Sequence, residues 1–403
     1  MASLLNYFGF GATKPQAAAE PDQGPVKTAV KALPANWYTS QPLYDLERRA
    51  IFSRKWLMIT HQVRIKQVGE YLRYEAANFV FILYRDASGN VKGIHNTSGL
   101  SGQPIVQEQK GTLDLSAAES FTFPIHIRVD QKGFIWVNLD GAETPEIPWE
   151  EDFDGVDTQP RFEGFNFNDE YEFDHEWEMT GDYNWKILAD NYNECYHCAS
   201  THPDLKEMAD LETYSVTTQD GYILHNVRGR PGSEGEQRYK VHPTYYYPST
   251  SMNVSPHFFF MQRFVPHGPV KSTMRYEVYR HKDAPESEFQ FIAQMYRRVM
   301  SEDKALCEAS QQNLNRGVFT NGEMHPRLEQ GPLFFQAKCR DLVKEHRQRE
   351  MMVKREIWPT QLSWTPRRTV VQSAKLEIPS VPAYYYSNSS GIEQGSAIAS
   401  VAA

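Results

Sequence analysis

The stretch Asn191–Pro203 constrains this chain more than any other, because its spacing dictates how the backbone must run. It reads Asn-Tyr-Asn-Glu-Cys-Tyr-His-Cys-Ala-Ser-Thr-His-Pro and carries Glu194, His197 and His202. Trp185, Leu188, Tyr192 and Cys195 recur at helical intervals, which predicts a helix over residues 184–197 with one buried face. Glu194 and His197 are i, i+3 neighbours and meet on such a helix. His202 lies five residues past His197, off that face, and Pro203 biases it away from helical backbone. The helix must end between the histidines, with a turn that swings His202 back. Two histidines completed by a carboxylate form the donor set that holds Fe(II) with positions left open.

A carboxylate to complete the set should sit where a charge is otherwise hard to explain. Ile292, Tyr296, Val299 and Leu306 step along a helix within residues 286–315, and Asp303 falls on the same line. A charge on a buried stripe is unfavourable unless it is paired or bound to a metal. Periodicity alone leaves open an ion pair with Arg297 or Arg298, or a helix rotated to expose Asp303.

Taken together, these residues resemble the catalytic alpha subunits of Rieske-type non-haem iron ring-hydroxylating oxygenases, in particular the choline and carnitine monooxygenase group. The resemblance runs over residues 35–350. It rests on Trp37–Ser40, Leu46–Trp56, Val68–Tyr71, Gly93–Asn96 and Gly133–Asp140, and most specifically on Asn184–Lys186, Asn191–Cys198, His202-Pro203 and Glu302–Gln311. It implies that His197, His202 and Asp303 bind one Fe(II), and that Asn191 lies near the metal. It also implies that Glu194 is the acid which bridges a neighbouring subunit's cluster to the iron. The implied substrates are a small organic molecule and O2, and the implied assembly is a homotrimer.

One departure is a matter of counting. After His-Asn the family places Cys-x-His, and a Cys-x-x-His soon after, to hold a [2Fe–2S] cluster. Here the first pair reads Ser98-Gly99-Leu100, and Gln103–Gly111 contains neither Cys nor His. The chain's four cysteines are Cys195, Cys198, Cys307 and Cys339, so none precedes residue 195. No [2Fe–2S] cluster is expected in this chain.

The expected fold class is α+β, with a degenerate Rieske-like β domain and a helix-grip catalytic domain, an antiparallel sheet with helices on one face. The expected divisions are a tail over 1–33, the β domain over 34–148, the catalytic domain over 149–363 and an extension over 364–403. Turn signals at Asp86–Asn90 and Asp130–Gly133 separate strands in the first domain, and Pro145 and Pro148 mark a linker. Further strands are expected at Gly221–Val227, Ser255–Val265 and Thr273–Arg280. A net charge of −9, from 42 basic and 51 acidic residues, argues against nucleic acid or an anionic membrane as partner. With no signal peptide or spanning run and few cysteines, a cytoplasmic protein is expected.

Cys195-x-x-Cys198 has the spacing of zinc and redox sites, and with His197 and His202 could make a four-ligand zinc site. The default is two buried, free cysteines. His95, His126 and His257 read as hydrogen-bonded structural histidines in strands. Tyr245–Tyr247 and Phe258–Phe260 are core residues by default, or the walls of a pocket for a methylated ammonium group. The expected function is a non-haem Fe(II) oxygenase acting on a small metabolite, in biosynthetic tailoring. The alternatives are a partner-dependent subunit in a mixed oligomer with a cluster-bearing homologue, and a non-redox metal enzyme.

Overall fold

The computed structural model describes residues 30–116, 122–233 and 240–361, all within one compact unit. The expected C-terminal extension and all but the last residues of the N-terminal tail lie outside the described residues. Strand β1 is Val30–Lys31; β2 is Leu57–His61, β3 Glu70–Ala76, β4 Phe79–Arg85 and β5 Val91–Ser98. They are followed by β6 Lys110–Thr112, β7 Thr122–Pro124, β8 His126–Val129 and β9 Phe134–Asn138. The second half holds β10 Tyr171–Gly181, β11 Ala209–Thr218, β12 Tyr222–Gly229 and β13 His242–Tyr246. It continues with β14 Thr250–Val254, β15 Phe258–Gly268, β16 Lys271–His281 and β17 Glu323–Met324.

The first half forms a five-stranded sheet in the order β6-β3-β4-β5-β7 and a three-stranded sheet β2-β9-β8. Both turn signals close hairpins. Asp86 Oδ1 accepts from the amides of Ser88 and Asn90, and Asp130 Oδ1 from those of Lys132 and Phe134. The second half is a seven-stranded antiparallel sheet, β10-β16-β15-β14-β13-β12-β11. The α+β class and the helix-grip arrangement are thus observed.

Three helices cover one face of the large sheet: Trp185–Tyr192, Glu286–Asn315 and Gln330–Val353. The other face is covered too. Phe259, Met261 and Tyr279 share a core with Trp56, Met58, Phe134 and Trp136 of the three-stranded sheet and with Trp149 and Phe153. This explains why β15 reads Phe-Phe-Phe-Met with no polar alternation: Phe258, Phe260 and Phe264 join the helix-side core and Phe259 and Met261 the opposite one.

The helix at 185–192 departs from the expected one-sided pattern, being buried on every face from Trp185 to Asn191. Its charges are satisfied individually. Lys186 Nζ pairs with Glu47 Oε1, which sits on the Gln41–Glu47 helix, and Asp190 accepts from Tyr38 Oη and Gln336 Nε2. Gln311 ties the long 286–315 helix to its start, accepting from the Asn184 amide and donating to the Tyr38 carbonyl.

Candidate metal centre

The helix ends at Tyr192, earlier than the predicted residue 197. Both the Asn193 amide and its Nδ2 donate to the Ala189 carbonyl, which caps the last turn. Glu194 then accepts from the backbone amides of Tyr196 and His197, a local alternative to helical bonding. A short helix over Cys198–Thr201 follows, and its backbone turn brings His202 back toward His197. The imidazole centroids of His197 and His202 stand 5.2 Å apart.

Asp303 meets both. It lies on the Glu286–Asn315 helix, as the periodicity predicts, and is buried. Its Oδ1 is 3.3 Å from His197 Nε2 and 3.2 Å from His202 Nε2. The alternatives left open by the sequence are not taken: Arg298 pairs with Asp204, and Arg297 lies over the Trp177 ring. Asn191 Nδ2 donates to the same Asp303 oxygen at 2.7 Å. All the residues named at sequence level, Asn191, Glu194, His197, His202 and Asp303, are therefore buried around one point.

The outer nitrogen of each ring is held by a carboxylate. His197 Nδ1 is 2.7 Å from Glu194 Oε1, and His202 Nδ1 is 2.8 Å from Glu302 Oε2. Anchoring Nδ1 aims Nε2 inward and fixes the tautomer, the arrangement common to metal-binding histidines. Glu302 was not singled out from the sequence. Its signal was weak: an acid adjacent to Asp303, with its side chain about a third exposed.

The separation of Asp303 Oδ1 from each Nε2 suits a shared divalent ion. Bonds of about 2.1 Å separate neighbouring donors by roughly 3.0–3.4 Å in octahedral or tetrahedral geometry. Asn191 Oδ1 is buried with no hydrogen-bond partner, an acceptor that a metal-bound water would satisfy. The same conclusion follows from charge. Burial pushes the His197 imidazole down, but the carboxylates of Glu194 and Asp303 outweigh this and raise it to about 10. Burial pushes Asp303 up, yet its two histidine partners hold it well below the usual carboxylate range. Such a cluster prefers positive charge at its centre, supplied by protons or by a metal.

One expectation is corrected here. Cys195 and Cys198 are joined by a disulfide, where two free cysteines were the default. The bond removes both thiolates that a four-ligand zinc site would use, so this state offers no such site. Cys307 and Cys339 are free and buried. His126 is bonded through Nε2 to the Ala142 carbonyl, as expected of a structural histidine. His257 lies in the turn between β14 and β15, not in a strand. The His95 Nε2 is buried without a partner.

A small cavity of about 20 Å³ lies on the helix side of the large sheet, between Trp177, Phe258, Phe260, Tyr276, Tyr296 and Met300. Met300 precedes Asp303 by less than one helical turn. Tyr245 and Tyr247 are not part of it; they pack on Phe335. Trp177 has Tyr276 stacked on its ring at 3.8 Å and the Arg297 guanidinium 4.7 Å from its centroid.

Residues 168–345 match the family of ring hydroxylating alpha subunits, catalytic domain. The carnitine monooxygenase oxygenase subunit of Acinetobacter pittii is 22% identical over 365 residues, covering 78% of this chain and 94% of that one. The chloroplastic choline monooxygenase of Arabidopsis thaliana is 24% identical over 331 residues, covering 72% and 78%. Among solved structures, a quaternary ammonium Rieske monooxygenase aligns with a TM-score of 0.68 at 20% identity, covering 78% of this chain and 96% of that chain. Naphthalene 1,2-dioxygenase from Rhodococcus aligns at 0.61 and 16% identity, covering 78% and 95%. The chain is a distant relative of the Rieske-type oxygenase alpha subunits.

Proposed function

We propose that this relative of the ring-hydroxylating oxygenase alpha subunits is itself an oxygenase, with one Fe(II) held by His197, His202 and Asp303. The observation that carries the proposal is the meeting of both Nε2 atoms at one Asp303 oxygen, each ring braced from behind by a carboxylate. Bound there, a ferrous ion would supply the redox chemistry that activates dioxygen. With only His197, His202 and Asp303 as protein donors, the site would stay open to O2.

The chain's own groups do the positioning. Glu194 and Glu302 lock the imidazoles, Asn191 fixes the Asp303 carboxylate, and the surrounding burial keeps bulk water out. The aromatic cavity beside Met300 is about 20 Å³ as it stands, room for little more than a water, so a substrate entering there must part its walls. With a stacked ring and a guanidinium already on Trp177, an apolar substrate fits it better than the methylated amines that the names of the relatives suggest.

Electron supply is where this chain differs. Residues 1–194 contain no cysteine, so the reading carries no [2Fe–2S] cluster of its own. Glu194 supports an orienting role rather than an outward electron path, because both its oxygens are engaged inside its own turn. A homotrimer is the assembly the resemblance implies, and a mixed oligomer with a cluster-bearing homologue is the alternative that would bring a cluster to this site.

The test uses nitric oxide, which binds where O2 does. Fe(II)-loaded protein should give the paramagnetic resonance signal of a ferrous nitrosyl, and His197→Ala should not. Bound iron that gives no such signal would mean a closed, non-oxygenase centre.

A further inference from the structure

We infer that Cys195 and Cys198, in their reduced form, are the electron store of this centre, delivering two electrons and two protons to dioxygen. This rests on the iron reading above. The pair brackets His197 in sequence and is graded in depth. Cys198 is buried, and its Sγ lies within 4.8 Å of a ring nitrogen of each of His197 and His202. Cys195 is only partly buried and adjoins the exposed Tyr196. One sulfur therefore lies beside the two imidazoles while the other, partly buried, is nearer the thiol reductant in solution. The spacing is that of dithiols that cycle between reduced and oxidised states.

A purely structural bond explains this less well. Disulfide stabilisation is smallest for short loops, and this one spans a sequence separation of 3. The same turn is already held by Glu194 and by the Ser200 hydroxyl, which donates to the His197 carbonyl.

The chemistry balances. Hydroxylation of a C–H bond consumes O2, two electrons and two protons. One oxygen atom enters the product and the other leaves as water. The two thiols supply both electrons and both protons, and an S–S bond forms. Two equivalents of a small-molecule thiol then reduce that bond through a mixed disulfide, leaving as their own disulfide, for the next turnover. Without substrate, the same dithiol and O2 give the disulfide and hydrogen peroxide.

The experiment needs no substrate. The full-length protein is reduced with a thiol, desalted anaerobically and pulsed with O2, with and without Fe(II). Alkylation and mass spectrometry count the 195–198 disulfide, and peroxide is measured alongside. Iron should speed disulfide formation on the order of tenfold or more, with peroxide released in step. His197→Ala with the same added iron should show no acceleration. The double variant C195S/C198S should retain iron and lose the peroxide. If iron binds yet neither disulfide formation nor peroxide depends on it, the electron store is overturned and the iron reading survives. If no iron binds, both fall together.

Discussion

His202 presents Nε2 to Asp303 because Glu302 holds its other nitrogen, and His197 does the same because of Glu194. Neutralising such a brace leaves the ligand in place but frees the ring. Glu302→Gln and Glu194→Gln should each weaken iron binding by roughly 10–100-fold. Fe(II) titration under anaerobic conditions reads this directly, and unaltered affinity would assign these carboxylates a merely structural role. At this scale the histidine spacing and Pro203 marked His197 and His202, but Asp303 on its apolar stripe was equally an ion pair or an outward charge, and the resemblance alone grouped it with the histidines. Glu302 was not legible, since a partly exposed acid on a helix looks like any solvated charge. Nor was the disulfide, because spacing does not reveal whether two sulfurs face each other or apart.

The site stands on two helices and a turn, and the turn depends on a close approach from a third helix. A methyl at Gly331, on the Gln330–Val353 helix, would run into the Asn193 carbonyl just before Glu194. Gly331→Ala should therefore push the 193–197 turn and lower iron affinity without touching a ligand, while a thermal melt shows a fold still formed. Wild-type affinity in this variant would show that the turn yields freely. The predicted helix over 184–197 overran because its apolar spacing continues through Cys195, whereas side-chain bonds from Asn193 and Glu194 decide where it stops. The central strands were found but not bounded: Ser255–Val265 was read three residues early for Phe258–Gly268, and Thr273–Arg280 lies within Lys271–His281. Tyr171–Gly181 went unseen because its outer face is Glu-rich and it lies at the sheet edge.

Across the whole molecule, the large sheet is gripped from both faces, and polar groups sealed in that second interface should set its acid stability. His61 on β2 is fully buried; its Nδ1 accepts from the Val63 amide and its Nε2 contacts the Lys132 carbonyl. A proton on Nδ1 would break the first bond, and burial lowers its pKa to about 4. The unfolded chain takes up that proton near pH 6.5, before the folded one does, so stability is lost as pH falls from about 6.5 toward 4, by up to about 3 kcal/mol. Buried Asp130, raised to about 6 chiefly by burial, acts in the opposite direction over the same range. The urea midpoint should therefore fall less steeply between pH 6.5 and 4.5 in His61→Gln than in wild type. Equal slopes would locate the acid sensitivity elsewhere.

A lone iron in an oxygenase frame is tested most directly by metal and acid-labile sulfide analysis of anaerobically purified protein beside His197→Ala. About one iron per chain, no sulfide, and loss of that iron in the variant are expected. Sulfide with additional iron would restore a cluster that the cysteine positions argue against. No iron, even after anaerobic Fe(II) loading, would contradict the metal centre itself.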